Sequence, residues 1–98
     1  MFITIMIKSF QDRETQELWE SGKSRRIPST IRVTALKKLA ILHWATDLTD
    51  LSVPGGNRLE ALRGNRKGQH SMRINDQYRL CFVWRNGDAF DVEIADYH

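Results

Sequence analysis

Arg73 and Arg79 flank the short polar run Asn75-Asp76-Gln77, and that spacing decides whether they can act together on a phosphate. Met72 and Ile74 must share one face of a strand, and Tyr78, Leu80, Phe82 and Trp84 one face of the next, because both apolar sets need the same core. An odd-length turn at residues 75–77 satisfies both sets. It opposes Ile74 to Tyr78 and Arg73 to Arg79, since a one-residue slip turns every side chain to the other face. Two arginines directly opposed on a sheet repel each other, and an anion between them removes the repulsion. The face carrying Ser71, Arg73 and Arg79 is therefore expected to bind phosphate. The competing expectation is that one arginine leans to solvent or pairs with Glu60, Asp91 or Glu93.

The surrounding charge has the same sign. Residues 58–85 hold seven Lys/Arg against two Asp/Glu, whereas residues 1–57 hold eight against six and residues 86–98 none against four. Such a basic middle draws a polyanion such as RNA through counterion release and long-range attraction. A solvated, solubilising face is the bland alternative. Other chemistries lack their groups: there is no nucleotide-binding glycine loop, no Ser-His-Asp ordering and no histidine-rich metal spacing. Cys81 is the only cysteine, so no intramolecular disulfide or cysteine-based zinc cluster can form, and a reducing cytoplasm is the natural compartment. His43 lies on an apolar helix stripe and reads as structural. His70, on the Met72 and Ile74 side of a strand, is a second choice as a base. His98 brings the side chain whose ionisation lies nearest neutrality, at a terminal position where side chains are normally frayed.

These residues need a scaffold, and 98 residues with 41% hydrophobic content suit one compact domain over residues 1–98. Ile3, Ile5 and Ile7 alternate with Thr4, Met6 and Lys8 and predict a first strand; the run is too short to span a bilayer, and Met6 offers an alternative start. Asp12 is expected to cap a helix through about Ser21 that buries Leu18 and Trp19 and ends at Gly22. Lys23, Arg25 and Arg26 follow in a loop. Pro28 and Ser29 announce a second helix, with Ser29 as its cap. Its apolar members Ile31, Ala35, Leu36, Leu39, Ala40, Leu42 and His43 face a sheet, and Arg32, Lys37 and Lys38 face outward. Residues 47–57 read as a loop. Strands are predicted at 58–62, 69–74, 78–84 and 89–95, with Asn86-Gly87 as a tight type I′ turn. Helices first and an antiparallel meander after make an α+β domain.

Met6-Ile7-Lys8-Ser9-Phe10, the run from Asn57 to Arg66, Gly68-Gln69-His70-Ser71, the run from Arg73 to Phe82, and Asp96-Tyr97-His98 together resemble the HigB-type toxins of the RelE/ParE superfamily, especially their GraT-like subgroup. The resemblance covers nearly the whole chain from Met6. It implies a RelE-like fold, two N-terminal helices on a twisted antiparallel sheet. It also implies a ribosome-dependent endoribonuclease that needs no metal or organic cofactor and cuts messenger RNA in the ribosomal A site, inhibiting translation. The expected partner is a HigA-like helix-turn-helix antitoxin, through which alone operator DNA would be bound.

The chemistry so implied is attack of a ribose 2′-hydroxyl on the adjacent phosphate, which needs a proton acceptor, a proton donor and positive charge at the phosphorane. By correspondence with related toxins, Arg79, Arg63 and His98 are the expected catalytic residues. Where some relatives have a histidine three residues before the basic residue, this chain has Glu60, which can act as a base or orient Arg63 or Arg79. Arg58, Arg66, Lys67, Arg73, Ser71 and Tyr97 are the expected RNA contacts, with Tyr97 also readable as a core anchor. Two other readings use the same residues: a non-catalytic RNA- or ribosome-binding module, which has no use for His98, and a basic interaction protein for an acidic partner.

Overall fold

Asp12 starts helix α1, Arg13–Ser21, because its extended backbone lets the carboxylate accept the Thr15 amide at 3.1 Å, satisfying a donor that a first turn cannot use internally. Gly22 ends it at φ 79°, where its amide returns to the Leu18 carbonyl. The computed structural model describes residues 7–52 and 57–97. Helix α2, Ser29–Trp44, buries Ile31, Ala35, Leu39, Leu42 and His43 on one side. Ser29 does not cap it: Pro28 holds the cap position, no side chain bonds to the helix end, and Ser29 is already helical. Proline suits that place because its φ is pre-set, and its carbonyl accepts the Ile31 amide at 3.1 Å.

The basic side of α2 is not simply solvated. Arg32 donates to the carbonyls of Ser24 and Ile27 at 2.9 and 3.1 Å. Lys38 donates at 2.6 Å to buried Asn57, whose amide reaches the Leu51 carbonyl. Leu51 is itself buried in a 3₁₀ turn, Leu48–Ser52, inside the segment expected to be loop. This chain of bonds ties α2 to the entry of the sheet.

Among the described residues, four antiparallel strands follow in the order β1 (Glu60–Ala61), β2 (His70–Arg73), β3 (Tyr78–Arg85) and β4 (Asp88–Asp96). The expected register holds, with Arg73 opposite Arg79. β1 is shorter than the predicted 58–62 because Arg58 takes φ 45°, which breaks the extended run. The predicted first strand falls outside the described residues except for Ile7. Ile7 and Phe10 bridge in parallel to Ala89 and Val92, so the chain runs along the free edge of β4.

One irregularity sets which residues face where. Asn86 and Gly87, both at positive φ, make the tight turn that places Arg85 opposite Asp88 and Val83 opposite Phe90. Beyond it the pairing shifts by one residue, so that Cys81 meets Glu93 and Arg79 meets Ala95. The extra residue is accommodated at Asp91, φ 51°, whose amide donates to the Ser9 hydroxyl at 2.9 Å. A bulge of this kind reverses the parity of everything after it. Val92 and Ile94 thereby turn toward the helices beside Leu80 and Phe82, and Glu93, Ala95 and Tyr97 turn to the opposite face. The core joins Leu18, Leu39, Leu42, Leu51, Met72, Leu80, Phe82 and Val92, all fully buried.

Replacing Asp12 with alanine should cost about 1 kcal/mol by loss of the cap, read as a lower midpoint in equilibrium urea unfolding; an unchanged midpoint would show that the cap bond adds nothing to α1.

Candidate functional site

Alternation along four strands brings Glu60, Ser71, Cys81 and Glu93 into one row across the face away from the helices. Arg79 lies one pleat along, its side chain only 13% exposed. Its Nε donates to Ser71 Oγ at 2.6 Å, and Nη2 donates to the Arg58 carbonyl at 2.6 Å, with Glu60 Oε1 3.6 Å away. The left-handed conformation of Arg58 accompanies this arrangement: its carbonyl serves as an acceptor for Arg79 rather than for a strand neighbour. A guanidinium fixed at Nε and Nη2 cannot swing, so its charge and fork are set before any ligand arrives.

The second half of the face is built around Tyr97. Its amide donates to the Gln77 carbonyl at 2.7 Å, extending the β4 pairing to the turn between β2 and β3. The Cys81 thiol donates to the Tyr97 hydroxyl at 3.9 Å. Arg66, from the 3₁₀ turn Gly64–Arg66, lies with its guanidinium carbon 6.0 Å from the Tyr97 ring centre. Arg66 Nη1 in turn donates to Glu93 at 2.9 Å and to Gln69 at 3.1 Å.

The opposed arginines are present, but no anion is needed between them. Arg73 pairs with Asp76 in the adjoining turn, and Arg79 stands beside Glu60, so the repulsion is relieved within the protein. Of the expected residues, the fold gathers Arg79, Ser71, Glu60, Arg66 and Tyr97 on one face. Arg58, Arg63 and Lys67 are exposed. His98 lies outside the described residues. His70 packs against Phe82 on the core side, with ring centres 6.2 Å apart, and so turns away from Arg79. His43 is buried against Trp19 and Trp44, and burial lowers its pKa. Among the described residues no three His, Cys, Asp or Glu side chains group as metal ligands.

Gln69 and Cys81 are site residues that the sequence reading missed, and Glu93, named there only as an alternative partner for Arg73 or Arg79, pairs with Arg66 instead. A signal for Glu93 was present: the Asn86-Gly87 turn sets Ala89 beside Trp84, yet apolar Val92 and Ile94 require the opposite parity, and only an inserted residue reconciles them. A cavity of about 550 Å³ opens elsewhere, between Phe10, Trp19 and His43. An extended polyanion requires a charged open face, so the sheet face is the stronger candidate.

Residues 8–98 match the family described as RelE-like toxin of type II toxin-antitoxin system HigB. The chain is 44% identical over 88 residues to Toxin HigB-1 of Vibrio cholerae serotype O1, covering 89% of this chain and 93% of that protein. It is 30% identical over 93 residues to Endoribonuclease HigB of Proteus vulgaris, covering 95% and 100%. Among solved structures, the YoeB-YefM complex from Staphylococcus aureus contains a chain of similar fold, with a TM-score of 0.54, 19% identity and coverage of 94% of this chain and 97% of that one.

Burial pushes the Cys81 thiol above its ordinary pKa, and burial followed by the neighbouring thiol does the same to the Tyr97 hydroxyl. The unfolded chain therefore loses these protons first as pH rises, and the stability they contribute, full below about pH 8.5, declines above it. Urea midpoints should fall between about pH 7 and about pH 9.5, and Cys81→Ala should flatten part of that slope; a slope that survives the substitution intact would place its origin in other groups.

Proposed function

The chain belongs to the HigB family of RelE-like toxins from type II toxin-antitoxin systems, and from that premise we propose that it is an endoribonuclease that cleaves messenger RNA in the ribosomal A site and so arrests translation. The observation that carries the reading is Arg79, anchored through Ser71 and the Arg58 carbonyl on the sheet face away from the helices. The Proteus vulgaris relative, named an endoribonuclease, supports it.

In this scheme a ribose 2′-oxygen bonds to the adjacent phosphorus as the bond to the 5′-oxygen breaks, leaving a 2′,3′-cyclic phosphate. The 2′ proton passes to a base, and the leaving oxygen takes a proton from an acid. Arg79 meets the negative charge that grows on the phosphorane, and Arg63 supports it from the exposed turn before Gly64. Glu60 and His98 are the proton-transfer candidates; Glu60 also holds Arg79 until the phosphate takes its place. Arg58, Lys67 and Arg73 hold the strand by its phosphates, and Tyr97 offers a ring for a base to stack on. The scheme uses protein groups alone, without a metal or organic cofactor.

The same reading supplies the partners. A HigA-like helix-turn-helix antitoxin binds the toxin and alone connects it to operator DNA; the structurally similar YoeB is itself described in a complex with YefM. No described helix is long and apolar enough to cross a membrane. The proposed workplace is the cytoplasm, where the ribosome and the message are.

Primer extension on a reporter message in a reconstituted translation system should show cuts within codons that require ribosomes. Arg79→Ala should reduce them by about 10²–10³-fold, in the range for loss of a transition-state donor. Wild-type arrest of translation without cutting would transfer the conclusion to a non-catalytic ribosome-binding protein. Removing Tyr97 and His98 should abolish cutting in a protein that remains folded, whereas persistent cutting would remove His98 from the mechanism.

A further inference from the structure

Arg66 is surrounded by partners of its own. Glu93 and Gln69 accept from the same guanidinium nitrogen, and its guanidinium carbon stands over the Tyr97 ring, 6.0 Å from the centre. Arg66 and Glu93 are 31% and 25% exposed at their side chains, so the pair is partly shielded from water and salt and stronger than a surface ion pair. Glu93 further raises the Arg66 pKa, above a value already too high to titrate. An arginine so engaged is poorly placed to follow a phosphate backbone.

Tyr97, by contrast, is 43% exposed and held at its edges. Its amide is fixed to Gln77, its hydroxyl lies 3.9 Å from the Cys81 sulfur, and the Arg66 guanidinium carbon stands 6.0 Å from its ring centre. Cys81 is fully buried beneath this arrangement, directly opposite Glu93 on the neighbouring strand.

We infer that Arg66 and Glu93 form a clamp that positions Tyr97 on the RNA-facing side of the sheet, with Glu93 a positioning residue for the cleavage reaction and Arg66 acting through Tyr97 rather than as a phosphate contact. The inference rests on the ribonuclease reading for its kinetic consequence, but its structural part does not. The Tyr97 hydroxyl lies 3.9 Å from the Cys81 sulfur, so a change in thiol reactivity on loosening Tyr97 reports the clamp with no RNA present.

The test compares wild type, Glu93→Gln, Arg66→Ala and the double variant, each checked for folding by circular dichroism. Two readouts are taken: the rate of Cys81 reaction with a small aromatic disulfide, and kcat and KM for cleavage on message-programmed ribosomes. Either single variant should raise the thiol rate about 10-fold and lower kcat by about 10-fold or more with KM within about 3-fold, the pattern of lost transition-state positioning. The double variant should be no worse than the singles, because the two residues act as one unit. Arg66→Lys, which keeps the charge and loses the planar fork, should behave as Arg66→Ala does.

Arg66→Ala that raises KM alone, with Glu93→Gln silent in both readouts, would make Arg66 an ordinary RNA contact and overturn the clamp. Additive losses in the double variant would also overturn it. Should Glu93→Gln fail to fold, Arg66→Ala and Arg66→Lys decide the matter by the same split between kcat and KM. If wild type does not cut RNA at all, the ribonuclease reading fails, and the thiol rates alone still establish or reject the clamp.

Discussion

The parity of β4 is the constraint on which the rest of this structure depends. A strand offers its side chains to two faces in strict alternation, and the tight turn at Asn86-Gly87 fixes that alternation at the start of β4. Continued unbroken, it would carry Asp91, Glu93 and Tyr97 into the apolar side and expel Val92 and Ile94. One extra residue at Asp91 prevents this, at the expense of a left-handed backbone in a residue type that tolerates it. The Ser9 hydroxyl takes up the Asp91 amide, and the Ser9 carbonyl accepts the Val92 amide at 3.0 Å. The N-terminal segment along the sheet edge thus holds the bulge, and the bulge assembles the charged face.

Hydrogen bonds then convert a collection of long flexible side chains into a fixed array. Arginine in solution has many rotamers, and ordering one on binding is costly. Here Arg79 is anchored by Ser71 and by a carbonyl that Arg58 presents from a left-handed conformation, and Arg66 by Glu93 and Gln69. Much of the ordering is thus completed during folding. The bonds from Lys38 to Asn57 and from Asn57 to Leu51 extend the same support backward, joining helix α2 to the segment from which Arg58 emerges.

Much of this was legible in the chain itself. The α1 cap and its glycine stop, the long second helix, the odd-length turn and the opposition of Arg73 to Arg79 all follow from local rules and from the need for a common core, and residues 8–98 carry the family's pattern. What escaped was of another kind. That Asp76 takes Arg73, that Lys38 turns in to Asn57, and that Arg66 pairs with Glu93 across 27 residues are choices among several partners within reach, made by side-chain packing rather than by periodicity. Ser29 failed as a cap because Pro28 had already supplied the helix with its entry angle. Glu93 was assigned to the wrong arginine, because its true partner Arg66 comes from a turn rather than from a strand register.

Pairing the arginines with Glu60, Asp76 and Glu93 also changes how the face looks from a distance. Matched charges project a weaker field than the count of arginines implies, and the attraction of a distant polyanion rests more on exposed Arg58, Arg63 and Lys67. Fewer of its counterions are released than a count of arginines suggests, and binding should depend less steeply on ionic strength. On the proposed ribonuclease reading, a crowded cell offers a vast excess of the wrong RNA, and a surface with partly matched charges is less readily occupied by it. On the same reading, discrimination would then shift from long-range attraction to close fit, where a phosphate must arrive in the right place to displace a carboxylate.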